Sequence, residues 1–160
     1  MALFLEPWPD ADSAEGKEFF TNAQTLAKAL TALSWPRSAM LGALARAEME
    51  SSLRTAVTGD DGEAHGLWQW HADRIKAIKD GCGIDINKGP DIATQCKALD
   101  WELTTYAYFG RKDIFSCGTP NAAGIVFCTL VDRAGAPNAA LRTGMAAVRW
   151  DKSGLIAIQM

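Results

Sequence analysis

Apolar residues recur at three- and four-residue intervals through the first third of the chain. Phe19, Phe20, Ala23, Leu26, Ala27 and Leu30 share one side of a helical wheel, which predicts a helix capped by Ser13 and running to about Leu33. Ser34-Trp35-Pro36 ends it, because the residue before a proline is pushed out of the helical region and proline itself suits the first turn of a new helix. The second predicted helix runs from about Pro36 to Glu50, with Met40, Leu41, Leu44 and Ala47 as its buried stripe. From Ser51 to Trp70 the helical period disappears. Thr58-Gly59-Asp60-Asp61-Gly62 is a dense turn signal of the sort that joins two short strands, so a small hairpin or an ordered loop is expected there.

The helical pattern resumes over His71 to Lys79 and stops at Gly81-Cys82-Gly83. Pro90-Asp91 opens a fourth helix, in which Ile92, Cys96, Leu99, Leu103 and Tyr106 alternate at spacings of four and three. Thr119-Pro120 caps a fifth, to about Arg133, and Pro137-Asn138 starts a sixth, to about Trp150. Residues 1–10, with Pro7 and Pro9 around Trp8, read as an extended lead-in whose Trp packs on the body, and the last ten residues as a short apolar tail. No internal repeat or linker interrupts the pattern. The expectation is one mainly α domain over residues 1–160, with a small β or loop insertion after the second helix.

Composition changes this picture little. With 48% hydrophobic and 22% charged residues among 160, the chain has the make-up of one globular domain. A net charge of −3 gives no general attraction to nucleic acid or to an anionic membrane, and no apolar run approaches the roughly 20 residues of a membrane span. The start, MALFLEPWPDAD, lacks the basic and apolar regions of a secretory signal, so no encoded export is expected. Cys82, Cys96, Cys117 and Cys128 are even in number but show no C-x-x-C spacing, and reduced, mostly buried thiols are expected.

The candidate chemistry is concentrated between Ala47 and Arg74. Glu48 and Glu50 close the second helix, where negative charge is unfavourable against the helix dipole, which hints at a functional reason for them. A glutamate partly desolvated at such a helix end has its pKa raised and can serve as a general acid. On the wheel Glu48 falls among Leu41 and Leu44, and Glu50 lies at the edge of that arc near Ala43 and Ala47, so periodicity does not settle which is the acid. Downstream, Gly66-Leu67-Trp68-Gln69-Trp70 combines an amide that offers donor and acceptor together with two indoles, groups that suit a sugar, although core packing is the favoured explanation of any single Trp.

The order Glu50-Ser51-Ser52-Leu53, a Gly/Asp loop, then Gly66-Leu67-Trp68-Gln69 resembles the pattern E-S-x-F, small-residue loop, G-L-M-Q of the lysozyme-like superfamily, which includes lytic transglycosylases and goose-type lysozymes. Within it, the run Gln69-Trp70-His71-Ala72-Asp73-Arg74 is similar to the Q-W-x-x-x-R segment of the bacteriophage tail lysozyme family. Gln95, Trp101-Glu102-Leu103 and the run Phe127 to Ala147 look like that family's helical second half, so the resemblance covers about residues 40–147.

The resemblance implies a lysozyme-like fold and cleavage of the β-1,4 bond between N-acetylmuramic acid and N-acetylglucosamine in peptidoglycan, either by hydrolysis or by the water-free transglycosylase route. It makes Glu50, directly before the Ser, the catalytic acid. Asp60 and Asp61 are then the carboxylates available to assist, Asp60 first. Gln69 would bind substrate, Trp68 or Trp70 would stack on sugar or support the cleft wall, and Tyr106 would position Glu50 or contact substrate. The partners implied are peptidoglycan glycan strands, with neither nucleic acid nor membrane insertion, and a monomer is expected. Such a protein acts in the periplasm or cell wall, released by a permeabilising partner or delivered on a virion. Two departures stand out: Arg46 where related sequences often have Asn, and Leu130-Val131-Asp132-Arg133 where an aromatic followed by Glu-Arg is common.

Three other readings compete. A non-catalytic glycan-binding or structural component of a phage or secretion assembly would keep the same pattern. His65 and His71, flanked by Asp60, Asp61, Glu63 and Asp73, raise a zinc site, but there is no H-E-x-x-H, so no metal and no cofactor are expected. A peptide-stem amidase would need an exposed reactive Cys beside a His, and only Cys82 lies near a Gly-rich turn.

Overall fold

The computed structural model describes residues 3–136 and 138–157; Pro137, expected at the start of the last helix, and the ends of the lead-in and tail lie outside the described residues. Helix α1 spans Ala14–Ala32, and the Ser13 hydroxyl accepts from the Gly16 N–H at 2.9 Å, satisfying one of the unpaired amides of its first turn. Helix α2 spans Arg37–Ser51 and starts from Pro36 in an extended conformation. Every residue from Ala39 to Ala47 is buried, which makes α2 the centre of the molecule. It packs against α6 and α7 on one side and α1 on the other, and α1 in turn lies on α4. A Cβ at Gly42 would stand 2.8 Å from the Ala123 carbonyl carbon, so only glycine lets α2 and α6 come this close.

After α2 the chain forms the expected insertion. Strand β1 (Thr58–Gly59) pairs antiparallel with β2 (Ala64–His65), Thr58 opposite His65, around a short turn at Asp60–Gly62. His65 and Trp70 then exchange two backbone hydrogen bonds, 3.0 and 2.9 Å, which close the GLWQ loop on itself. Helix α3 (Ala72–Cys82) ends at Gly83, whose φ of 79° is the left-handed cap that stops a helix cheaply only at glycine. Helix α4 (Ile92–Thr105) begins where the Asp91 carboxylate accepts from the Thr94 N–H. Tyr106, expected to continue its stripe, is its extended C-cap residue.

The remaining elements depart from the pattern in two places. A five-residue helix, α5 (Arg111–Phe115), was too short to register as a period. The fifth predicted helix is not regular to Arg133: α6 (Pro120–Phe127) widens into a π turn over Cys128–Asp132, and Arg133 ends it with φ 50°. Such turns are frequent at functional sites. Helix α7 (Ala139–Ser153) completes a mainly α, lysozyme-like fold with a small two-stranded insertion. The buried apolar side chains, from Phe19 of α1 through Leu44 of α2 to Trp150 of α7, form one contiguous cluster. Burying a leucine such as Leu44 stabilises by about 2 kcal/mol. Trp8 of the lead-in packs on that core, 4.3 Å from Trp150 and edge-on to Phe20 at 5.4 Å between ring centroids. No described helix is long and apolar enough to cross a membrane.

Candidate active site

The end of α2 is built by an abrupt change of direction. Ser52 caps the helix in the left-handed conformation, φ 53°, and Leu53 follows at φ 61° although its side chain is fully buried. Non-glycine residues in that region cost about 1–3 kcal/mol each and persist where the surroundings over-determine them. Here burial of Leu53 and the 2.8 Å hydrogen bond from Asn22 Nδ2 to its carbonyl do so. Ser51 keeps its buried hydroxyl satisfied by donating to the Ala47 carbonyl at 2.9 Å.

The two glutamates before this corner have different surroundings. Glu48 is enclosed: its carboxylate accepts from the indoles of Trp8 (3.0 Å) and Trp150 (2.9 Å) and from Arg149 Nη2 (2.6 Å). Burial pushes its carboxyl above the ordinary glutamate range against the pull of Arg149 and the two indoles. Glu50 has 23% of its side chain exposed against 12% for Glu48, and its one ion-pair partner among the described residues is Arg46, one turn back on α2. The more accessible carboxylate is therefore Glu50.

Arg46 opens a row of buried charges beneath the site. Its Nη2 meets Glu50 Oε1, its Nε donates to Asp132 Oδ2, and its Nη1 donates to Thr143 Oγ1 at 3.4 Å. Asp132 lies 4.0 Å from Arg74 Nη1, and Arg74 in turn holds Glu102 through two hydrogen bonds of 2.7 and 2.6 Å. The Trp70 indole donates to the same Glu102 at 3.1 Å. Burial pushes the Asp132 carboxyl above the ordinary aspartate range despite Arg46 and Arg74 beside it. Both places where the sequence departs from its resemblance, Arg46 and Asp132, thus meet in one contact.

Three of the residues expected at the site have structural roles. Trp68 and Trp70 are 1% and 0% exposed, so neither has a free ring face to stack on a sugar. Trp68 donates its indole N–H to the Ala43 carbonyl at 2.9 Å, pinning the insertion to α2, while Trp70 ties it to Glu102. Gln69, at φ 47°, uses both amide protons inside its own loop, on the carbonyls of Val57 (3.1 Å) and Gly66 (2.9 Å), which leaves its amide no N–H for a ligand. Gln95 secures the same loop from α4, accepting from Leu67 N–H at 2.8 Å and donating to the Thr55 and Pro90 carbonyls.

The loop carboxylates are open. Asp60 and Asp61 are exposed at φ 47° and 54°, and Asp60 Oδ2 pairs with His71 Nε2 at 3.1 Å. Tyr106 packs edge-on against Trp101, and among the described residues it has no hydrogen bond to Glu50. The aromatic that sequence reading passed over is Tyr108. It is 59% exposed, Arg133 lies over its ring at 5.6 Å, and its neighbour Phe109 is buried under Arg74. Its short segment packs on the π turn that carries Asp132.

The competing chemistries find little support in the side chains present. No three His, Cys, Asp or Glu residues among those described are grouped to hold a metal ion. His65 is engaged with the Gly62 carbonyl and Thr58, and His71 with Asp60. All four cysteines are free, and burial pushes the thiols of Cys96, Cys117 and Cys128 up, away from a reactive thiolate. Cavity volume does not mark the site: a groove of about 530 Å³ runs under the lead-in past Glu48, Ser52 and Arg142, and one of about 610 Å³ lies between the insertion and α3. Neither is lined by Glu50.

A helical body, a two-stranded insertion after the central helix, and an accessible carboxylate at that helix's end together define the lysozyme-like class. Residues 21–152 match the model of the phage tail lysozyme family, and the chain belongs to that family, whose lysozyme-like action is on peptidoglycan. No curated protein matches the chain.

Proposed function

We propose that this protein is a muramidase that cleaves the β-1,4 bond between N-acetylmuramic acid and N-acetylglucosamine, with Glu50 as general acid. The observation that carries the reading is the contrast at the end of α2: Glu48 is saturated by two indoles and a guanidinium, whereas Glu50 is left accessible with one buried cation beneath it. As the C1–O bond breaks, its electron pair goes to the leaving oxygen, which takes the Glu50 proton, and positive charge develops on the sugar ring. Glu50 becomes a carboxylate at that moment, and Arg46 is already in place to stabilise it. In hydrolysis, water then adds to C1 and its proton returns to Glu50. Asp60 is the carboxylate assigned to assist, supported by its exposed position on the insertion and its pairing with His71.

Tyr108 takes the stacking role that the buried indoles cannot, since an aromatic face suits the apolar face of a pyranose. The setting that fits is a monomer acting on glycan strands in the cell wall, delivered on a virion or released as an endolysin. Digestion of purified peptidoglycan tests the assignment: Glu50→Gln should lose at least about a hundredfold in glycan cleavage, the usual scale of a general acid, and full retention would refute it. Mass spectrometry of the fragments separates hydrolysis, with a reducing end, from the transglycosylase product with a 1,6-anhydro end. The pairing of Arg46 with Glu50 also favours a second reading, a non-catalytic glycan binder, because a guanidinium favours the ionised carboxylate over the acid. Saccharide quenching of Trp fluorescence without new reducing ends would identify it.

A further inference from the structure

A general acid beside a guanidinium faces opposed demands. The cation stabilises the carboxylate left after proton transfer, but it also drains the protonated form from which transfer starts. We propose that Asp132 is a positioning residue that resolves this, dividing the Arg46 guanidinium between itself and Glu50 so that Glu50 keeps its proton until the glycosidic bond breaks. The proposal rests on Glu50 being the acid.

The geometry of the row carries it. The three nitrogens of Arg46 go to three elements: Nη2 to Glu50 at the end of α2, Nε to Asp132 on the π turn, and Nη1 to Thr143 on α7. Arg46 and Asp132 side chains are each 7% exposed, so water does not screen their contact. Arg74 of α3 is held mainly by Glu102 of α4, which takes it with both oxygens at 2.6 and 2.7 Å, and it reaches Asp132 only at 4.0 Å. Asp132 Oδ1 has no hydrogen-bond partner. The row therefore contains three carboxylates, Glu50, Asp132 and Glu102, against two guanidinia, Arg46 and Arg74, and Arg46 is the one cation that Glu50 and Asp132 both contact closely. Two carboxylates on one buried cation titrate as a pair that shares a proton, and burial of Asp132 keeps that proton from leaving easily. Cys128, the other titratable group against Arg46, has its thiol pushed up by burial and stays neutral. Glu48 faces Arg149 and takes no part.

The pH profile of kcat/KM on peptidoglycan tests this, because its alkaline limb reports the acid of the free enzyme. Asp132→Asn keeps the side chain's shape and leaves Arg46 wholly to Glu50, so the alkaline limb should move about one unit to lower pH, the scale of one nearby charge. Arg46→Gln should move it the opposite way, and in that background Asp132→Asn should add no comparable shift. Asp132→Glu, which keeps the charge, should restore the limb. If Asp132→Asn does not fold, as judged by circular dichroism, the same downward shift is read in Asp132→Ser, which also removes the charge. A limb that stays put or moves up in Asp132→Asn, or that moves down in Arg46→Gln, overturns the proposal. If cleavage survives Glu50→Gln, the acid itself is wrongly assigned. If Glu50→Gln is inactive and the limbs do not move, only the role of Asp132 fails.

Discussion

Two glutamates stand two residues apart on one helix end, and the protein treats them in opposite ways. Glu48 turns toward the lead-in and α7, where Trp8, Trp150 and Arg149 give it three donors. Glu50 meets a single guanidinium, that of Arg46 on its own helix, which another buried carboxylate already engages. The first arrangement pins the amino-terminal segment to the core. The second leaves a carboxylate with accessible surface and a shared cation beside it.

The comparison can be broken most forcefully at Glu48. Glu48→Ala leaves two indole N–H groups and Arg149 without their acceptor, a loss of about 3 kcal/mol, while activity per folded molecule should be retained. At roughly 2–4 °C per kcal/mol for a chain of this size, the melting temperature should fall by about 8 °C, measured by thermal denaturation. If that variant keeps its stability and loses cleavage, the roles of the two glutamates are reversed. A smaller effect is expected at the surface. Tyr108→Ala should raise KM for peptidoglycan fragments severalfold with little change in kcat, the mark of an interaction equal in ground and transition states. A loss confined to kcat would instead place Tyr108 at the reacting centre.

The smallest effect is one of pH. The Glu48 carboxyl is raised by burial above 4.5, so its folded form holds a proton more tightly than the unfolded chain does. Its contribution to stability is therefore present below about 4.5, the unfolded value, and is lost as pH rises through the folded value. Glu48→Gln removes that contribution, and its stability should decline less steeply with rising pH across that window in denaturant titrations. A decline as steep as that of the wild type would mean that the slope arises elsewhere, Asp132 being the other raised carboxyl.

Much of the fold was legible because its boundaries are set by local chemistry. Ser13, Pro36, Asp91 and Thr119 mark helix starts through capping geometry that depends on a few adjacent residues, and the Gly/Asp turn marks the insertion in the same way. Helix α5 escaped because five residues give no period, and the π turn because nothing local in Cys128–Asp132 distinguishes it from a regular turn. The site was less legible for a reason of distance. Periodicity ranked Glu48 as the more buried acid, which it is, but what makes it structural comes from Trp8, 40 residues away, and Arg149, 101 away. Trp68 and Trp70 carried the composition of a sugar wall, yet the backbone turns their rings inward onto Ala43 and Glu102. Arg46 and Asp132 were visible only as departures from a resemblance, and their meeting depends on the close approach of α2 and α6 at Gly42.

The central claim is that Glu50, not its enclosed neighbour, does the chemistry. Release of new glycan ends from purified peptidoglycan by wild type, Glu50→Gln and Glu48→Gln, each corrected for its folded fraction, tests it most directly. The account predicts cleavage by wild type and Glu48→Gln, and at least about a hundredfold less by Glu50→Gln. Undiminished cleavage by Glu50→Gln would contradict it.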